Sequence, residues 1–299
     1  MIIPSSLSKG STIAIVSPAG SIPPEHVLPA VALLQSLGYT VNVGENVFAQ
    51  EYNFAGSDKQ RTEDLQKALD NPEVSAIICS RGGYGTLRTL QNINWEGYLK
   101  HPKWIVGFSD ITILHSYLHQ KGVSSIHGAM THFFLEDKKP TESFDTMHQC
   151  LTGEGNSYSF ESNPLNRTGF VDAPIIGGNL SLLYSLRGTA YDLDTNGKIL
   201  FIEDIGEYLY HLDRMMLNFK VGGKLENLAG MIVGQFSSMK DNDIPFGMDV
   251  NEIIMDAVKD YNFPVCFNFP AGHVDRNLAL RFGVDSKLSI QPTGCTLIN

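Results

Sequence analysis

Ser109 stands in the segment GFSD (107–110), between the apolar run WIV (104–106) and a stretch with helical rhythm, ITILHSYLH (111–119). A serine hydroxyl is a weak nucleophile until a base takes its proton, and attack on a carbonyl needs preorganised N–H donors for the oxyanion. A strand-turn-helix junction supplies such donors. The amides that open a helix, such as that of Asp110, lack intrahelical acceptors and face the positive end of the helix dipole. The same letters also serve a plain helix N-cap, and the second glycine of a G-x-S-x-G elbow is missing. Ser109 is thus a nucleophile or a cap.

RGGYG (81–85) places the adjacent glycines Gly82 and Gly83 where backbone must come close to something. It is neither a G-x-G-x-x-G fingerprint nor a P-loop. A tight turn accounts for Gly82 and Gly83. A functional alternative gives the Gly83 amide to an oxyanion and makes Arg81 a clamp for a carboxylate. A base is also needed. His273, in FPAGHVDRN (269–277), follows an apolar run in a turn, and His127, in SSIHGAM (124–130), is its rival. An acid to orient the imidazole is offered by FIEDIGE (201–207) as Glu203, Asp204 or Glu207. Carboxylates that end an apolar strand are costly to bury without a partner, although capping of the next helix explains them too. Cys79 reads as a buried strand thiol. No H-E-x-x-H or other ligand cluster points to a metal.

These residues need elements to hold them. TIAIVS, YTVNV, SAIICS, WIVG and SSIHG read as short strands, separated by helical stretches. One of these helices opens on a Ser57–Gln60 capping box. Such alternation builds βαβ units and a parallel sheet, with ligands collecting beyond the carboxyl ends of its strands. SPAGS, RGGYG, GFSD and HGAM all follow a strand directly, so they converge there. The second half is mixed, with KILFIED a strand, EYLYHLDRMMLNFK a helix, and KLSIQP with CTLIN a terminal hairpin. The expected class is α/β: an N-terminal flavodoxin-like parallel sheet domain over 1–150, a linker over 151–167, and a smaller mixed α/β domain over 168–299.

Composition narrows the function. The chain of 299 residues can bury a large core, roughly three quarters of its unfolded surface. Its formal net charge of −10 leaves no excess of Lys and Arg to neutralise phosphates, so no nucleic-acid partner is expected. The apolar run Ile13–Val16 is too short for a signal segment or a membrane span. Four cysteines without C-x-x-C spacing read as the reduced thiols of a cytosolic protein.

In order, VSPAG, FAGSDKQRTEDLQKAL, RGGYGTLRTL, GFSDITILH, HGAM, GGNLSLL, LFIEDIGEYLYHLDRMM and GHVDRN resemble the LD-carboxypeptidase family of serine peptidases. That family includes muramoyl-tetrapeptide carboxypeptidases and microcin-immunity peptidases. The resemblance runs from near residue 12 to near residue 285. It implies a Ser-His-Glu triad divided between two domains: Ser109, His273 and Glu203, with Glu207 close enough to remain a second choice. It implies oxyanion donors at the backbone N–H groups of Gly83 and Asp110. The implied substrate is a small peptide, a cytoplasmic murein tetrapeptide that loses its terminal D-alanine during peptidoglycan recycling. The implied enzyme is a homodimer that uses no cofactor or metal. Arg81, beside Gly83, is expected to pair with the free carboxylate. Where the family commonly has an LPLG-like stretch the chain reads LALRFG (278–283), so that Arg281 intrudes on the expected substrate-facing wall. Two alternatives stand beside this: an immunity-type peptidase cleaving aminoacyl-nucleotide amides, and a non-catalytic module binding a sugar or nucleotide.

Overall fold

The computed structural model describes residues 1–299. Strands β1 (Thr12–Val16), β2 (Thr40–Val43), β3 (Val74–Cys79), β4 (Trp104–Gly107) and β5 (Ser125–His127) form a parallel sheet in the order β5-β4-β3-β1-β2. This is the flavodoxin-like doubly wound order. Helices α1 (Leu28–Ser36), α2 (Asp58–Asp70), α3 (Thr86–Leu90), α4 (Glu96–Lys100) and α5 (Thr112–Gln120) connect these strands. Alternation along β1 shows why two layers form. Ile13 and Ile15 pack with Leu34 of α1, whereas Ala14 and Val16 face Leu65 of α2 and Leu114 of α5. Each buried leucine stabilises the fold by about 1.5–3 kcal/mol. The Ser57–Gln60 capping box is present at the start of α2, with both reciprocal hydrogen bonds made.

After β5 come a small hairpin, β6 (Leu135–Glu136) and β7 (Lys139–Pro140), and helix α6 (Glu142–Thr152). The remaining strands are β8 (Ser157–Phe160), β9 (Gly169–Asn179), β10 (Ile199–Ile205), β11 (Gly230–Ser237), β12 (Val265–Cys266), β13 (Leu280–Phe282), β14 (Asp285–Gln291) and β15 (Gly294–Ile298). All except β13 join a second sheet ordered β12-β11-β10-β9-β14-β15-β8. Its β12-β11-β10-β9 part is parallel and the rest antiparallel. Helices α7 (Leu180–Ser185), α8 (Leu209–Val221) and α9 (Val250–Val258) belong to this half. Leu200 and Ile202 of β10 pack with Leu212 of α8 and Ile254 of α9, while Phe201 faces Phe282 and Leu280.

Two details depart from the expected division. Residues 151–167 are not a bare spacer: they hold the last two residues of α6 and all of β8, which pairs with β15 at the edge of the second sheet. The C-terminal segment also returns to the first sheet, where β13 pairs antiparallel with β5. Arg281 sits on β13 with its N–H bonded to Asn299 Oδ1, and it is not among the residues that line the cleft described below. The expectation that it intrudes on a substrate-facing wall is therefore corrected. Inward-pointing Leu280 and Phe282 are what this strand needs to pack, and the residue between them turns away.

Candidate active site

The chain leaves β4 through Phe108, which is extended, and enters a 3₁₀ turn (Ser109–Ile111) that runs into α5. Ser109 has φ +62°, a conformation that costs a residue with a Cβ roughly 1–2 kcal/mol. Its hydroxyl caps no helix amide but meets a histidine: Ser109 Oγ lies 2.9 Å from His273 Nε2. This sharp turn needs glycine on its flank. A Cβ at Gly82 would fall 2.9 Å from the Ser109 Cβ, and one at Gly107 would fall 2.8 Å from Ile111 Cγ1. Gly82→Ala should therefore displace the serine while the remainder folds. An error near 1 Å can cost about a hundredfold in rate. A melting temperature close to that of the parent with kcat near parental would contradict this.

His273 is held by its backbone. Its carbonyl accepts the Ser237 hydroxyl at 3.1 Å, and the preceding Gly272 N–H donates to Asn277 Oδ1 at 2.9 Å. Gly272 has φ +129°, and a Cβ there would meet Glu203 Oε2 at 2.9 Å. The ring's other nitrogen, Nδ1, lies 2.8 Å from that same Glu203 Oε2. Strand alternation explains the geometry: Glu203 continues the Phe201 face of β10 toward the first sheet, and Asp204 points the other way. Asp204 accepts the Asn179 side-chain amide and the Ser181 N–H, each at 2.9 Å. Burial, with the charge of Glu203 adding to it, pushes the Asp204 pKa up to about 6 against its hydrogen bonds.

Glu203 is 0% exposed. For His273, burial pulls the pKa down, but the Glu203 hydrogen bond and charge, with the charge of Asp204, more than reverse it, and the net value lies above the ordinary one. With its proton on Nδ1, the imidazole donates to Glu203 and accepts the Ser109 hydroxyl through Nε2. The second acid considered, Glu207, lies elsewhere: its Oε2 is 2.5 Å from His211 Nδ1, one turn along. The rival histidine, His127, is fully buried among Phe108, Phe201 and Phe282, and burial holds its pKa well below the usual value. Cys79 is likewise buried and its thiol pushed far up.

The N–H groups of Gly83 and Asp110 donate to no protein acceptor; Asp110 follows the serine directly, and Gly83 lines the same cleft as Ser109. The Asp110 carboxylate, buried and raised in pKa by that burial, accepts the Thr86 N–H at 2.7 Å. It thereby ties the serine turn to the RGGYG loop. A cleft of about 520 Å³ opens here, and its wall includes Arg81, Gly83, Ser109 and His273. Arg81 is exposed and spends one donor on the Ser21 carbonyl at 2.6 Å. The two halves also meet behind the site. The Asn179 N–H donates to Thr112 Oγ1 at 3.0 Å, and any Cβ at Gly178 would sit 2.5 Å from that oxygen. The cleft also uses Phe108, Phe133, His26, His132 and Ile205, which sequence reading does not single out. Their only signal is proximity to the strand-end motifs.

Comparison with known proteins sets this geometry in a family. Residues 13–128 match the LD-carboxypeptidase N-terminal domain and residues 172–288 the LD-carboxypeptidase C-terminal domain. A protein named probable murein peptide carboxypeptidase, from Bacillus subtilis (strain 168), is 34% identical over 291 residues, covering 96% of this chain and 91% of that one. The crystal structure of muramoyltetrapeptide carboxypeptidase from Oxalobacter formigenes superposes with a TM-score of 0.86 at 29% identity, covering 96% of this chain and 98% of its own. The microcin C7 self-immunity protein MccF, in complex with aspartyl sulfamoyl adenosine, reaches a TM-score of 0.87 over 100% of this chain and 99% of its own. At 18% identity it shows a shared fold alone. No helix here is long and apolar enough to cross a membrane. By the match of both domains and the extent of the Bacillus relative, the chain belongs to the LD-carboxypeptidase family.

Proposed function

We propose that the protein is a serine-type LD-carboxypeptidase that releases the terminal D-alanine of a murein tetrapeptide, acting in the cytoplasm during peptidoglycan recycling as a homodimer. The observation that carries this is the hydrogen-bond chain Ser109–His273–Glu203 at the mouth of a cleft flanked by two unpaired amides. Ser109 Oγ attacks the scissile carbonyl carbon as its proton passes to His273 Nε2. The oxyanion accepts the N–H groups of Gly83 and Asp110, where one such donor is worth about 2.7–4 kcal/mol. His273 then protonates the leaving amine, the C–N bond breaks, and an ester on Ser109 remains. Water, deprotonated by the same nitrogen, hydrolyses that ester. Glu203 holds the imidazole in the needed tautomer and stabilises the imidazolium.

Arg81 pairs with the free carboxylate of the departing residue. A site built to pair a polar group rejects analogues lacking it. Tetrapeptide should therefore release D-alanine, its C-terminal amide should react far more slowly, and Arg81→Met should erase most of that difference. Following D-alanine release from both peptides tests the reading. Equal rates on acid and amide would rule out a carboxypeptidase of this kind, and preference for an aminoacyl-nucleotide amide would put the immunity-type activity in its place. A serine-directed fluorophosphonate should label Ser109, which a binding module would not permit, and EDTA should leave turnover unchanged.

A further inference from the structure

Ser109 keeps its left-handed φ of +62°, and such a conformation persists only where the surroundings over-determine it. Downstream the turn is fixed twice. The Ile111 N–H donates to the Phe108 carbonyl at 3.2 Å, and the Thr86 N–H reaches the Asp110 carboxylate at 2.7 Å. Upstream, β4 ends at Gly107, which has no side chain to anchor it. Its carbonyl is held instead from the next helix. His115, on α5, bonds through Nε2 to the Gly107 carbonyl oxygen at 2.8 Å, and its Nδ1 lies 2.8 Å from Ser125 Oγ on β5.

A carbonyl only accepts, so Nε2 carries the ring proton and Nδ1 accepts the Ser125 hydroxyl. His115 is 2% exposed, with the rings of Phe282 and His127 5.4 and 6.4 Å away. Burial, partly opposed by the Gly107 hydrogen bond, pulls its pKa down to about 4. The imidazole is thus a neutral donor with one fixed tautomer.

Burying such a ring is costly, and satisfying the backbone does not require it. The Gly107 carbonyl already accepts the Gly128 N–H at 3.2 Å, so it would have a partner without His115. A leucine, like Leu114 and Leu118 on the same helix, would meet the demands of packing alone. What the second bond adds is position. Only Phe108 lies between Gly107 and Ser109, so a shift of that carbonyl passes to the serine. His273 cannot follow the shift, because Ser237 and Glu203 anchor it from the other half of the chain.

We propose that His115 is a positioning residue for the nucleophile, fixing the Gly107 carbonyl and thereby where Ser109 Oγ lies against His273 Nε2. The inference rests on the reading of Ser109 as the nucleophile.

Four variants separate position from stability. His115→Asn is too short to reach Gly107 but can still meet Ser125. His115→Met fills the space and keeps neither bond. His115→Gln places an amide N–H where Nε2 stood, and Ser125→Ala spares the Gly107 bond while removing the other. The Asn and Met variants should lower kcat about a hundredfold, the scale of a 1 Å misplacement, with KM little changed. The acid limb of their pH–rate profiles should not move, since the Glu203–His273 bond is untouched. The Gln and Ser125→Ala variants should keep most of kcat although each lowers the melting temperature. The rate at which a fluorophosphonate labels Ser109 should fall in the same order, and that readout needs no peptide. The Met variant carries the comparison should the Asn variant not fold. If kcat instead tracks the melting temperature across the set, His115 is merely structural and the proposal is overturned. Parental labelling and turnover in the Met variant overturn it equally. A parent that fluorophosphonate does not label overturns the nucleophile reading and this inference with it. A labelled parent that releases no D-alanine, with labelling still lost in the Met variant, rejects the carboxypeptidase reading and leaves the role of His115 standing.

Discussion

Replacing Ser109 with alanine should lower kcat by roughly 10⁶, and His273→Ala should do the same, because residues that act as one unit lose nearly everything when any essential member goes. The double variant should be hardly worse than either single. Neither change should unfold the chain. Ser109 already occupies a left-handed conformation that alanine tolerates about as well, and the His273 ring sits in a cleft wall with its side chain 18% exposed. Steady-state D-alanine release with a melting curve on each variant decides the matter. A Ser109→Ala protein retaining more than about a hundredth of parental kcat cannot have used that hydroxyl as its nucleophile.

Glu203→Gln should cost about 10⁴ in kcat, the scale expected when an amide replaces the carboxylate that sets a catalytic tautomer. It carries a second signature in pH. The base must be neutral to accept the serine proton, so a raised pKa for His273 places the acid limb of kcat/KM above the ordinary histidine value of about 6.5. Without the Glu203 charge the main lifting partner is gone and burial is opposed by the charge of Asp204, so the limb should shift to lower pH. A pH–rate profile of both proteins measures this directly. Activity within tenfold of the parent and an unmoved limb would remove Glu203 from the proposed mechanism. Glu207→Gln, by contrast, touches a carboxylate already engaged with His211 and should leave the limb where it was.

How far the sequence reveals this molecule depends on the distance over which each feature is decided. Local features are legible: the apolar run of β3, the capping box at Ser57, the strand-end placement of Ser109 and the acidic end of β10 all follow from neighbouring residues. The choice between Glu203 and Glu207 is not, since both lie within one short segment and only the face of β10 that meets His273 separates them. That meeting joins positions 70 and 164 apart, which no local pattern encodes. The family resemblance named the residues; their approach is a property of the packed sheets. The turn between β6 and β7 escapes notice because Asp137 and Lys138 take positive φ, 48° and 66°, without the glycine that normally announces such a geometry. The three residues of β13 escape because so short a strand has no periodicity to read, and its partner lies in the other half of the chain.

That crossing strand has a bearing on how the protein is made. During synthesis the flavodoxin-like half emerges first, yet its sheet stays unfinished at β5 until residues 280–282 follow, after most of the second half. Until then β5 presents an open edge, the kind of backbone surface that invites pairing with another nascent chain. The histidine reaches the ribosome exit only slightly earlier than β13. The hydroxyl of Ser109 thus has no partner until His273 has been made. Completion of the sheet and the meeting of Ser109 with His273 depend on one short stretch of chain, residues 273–282.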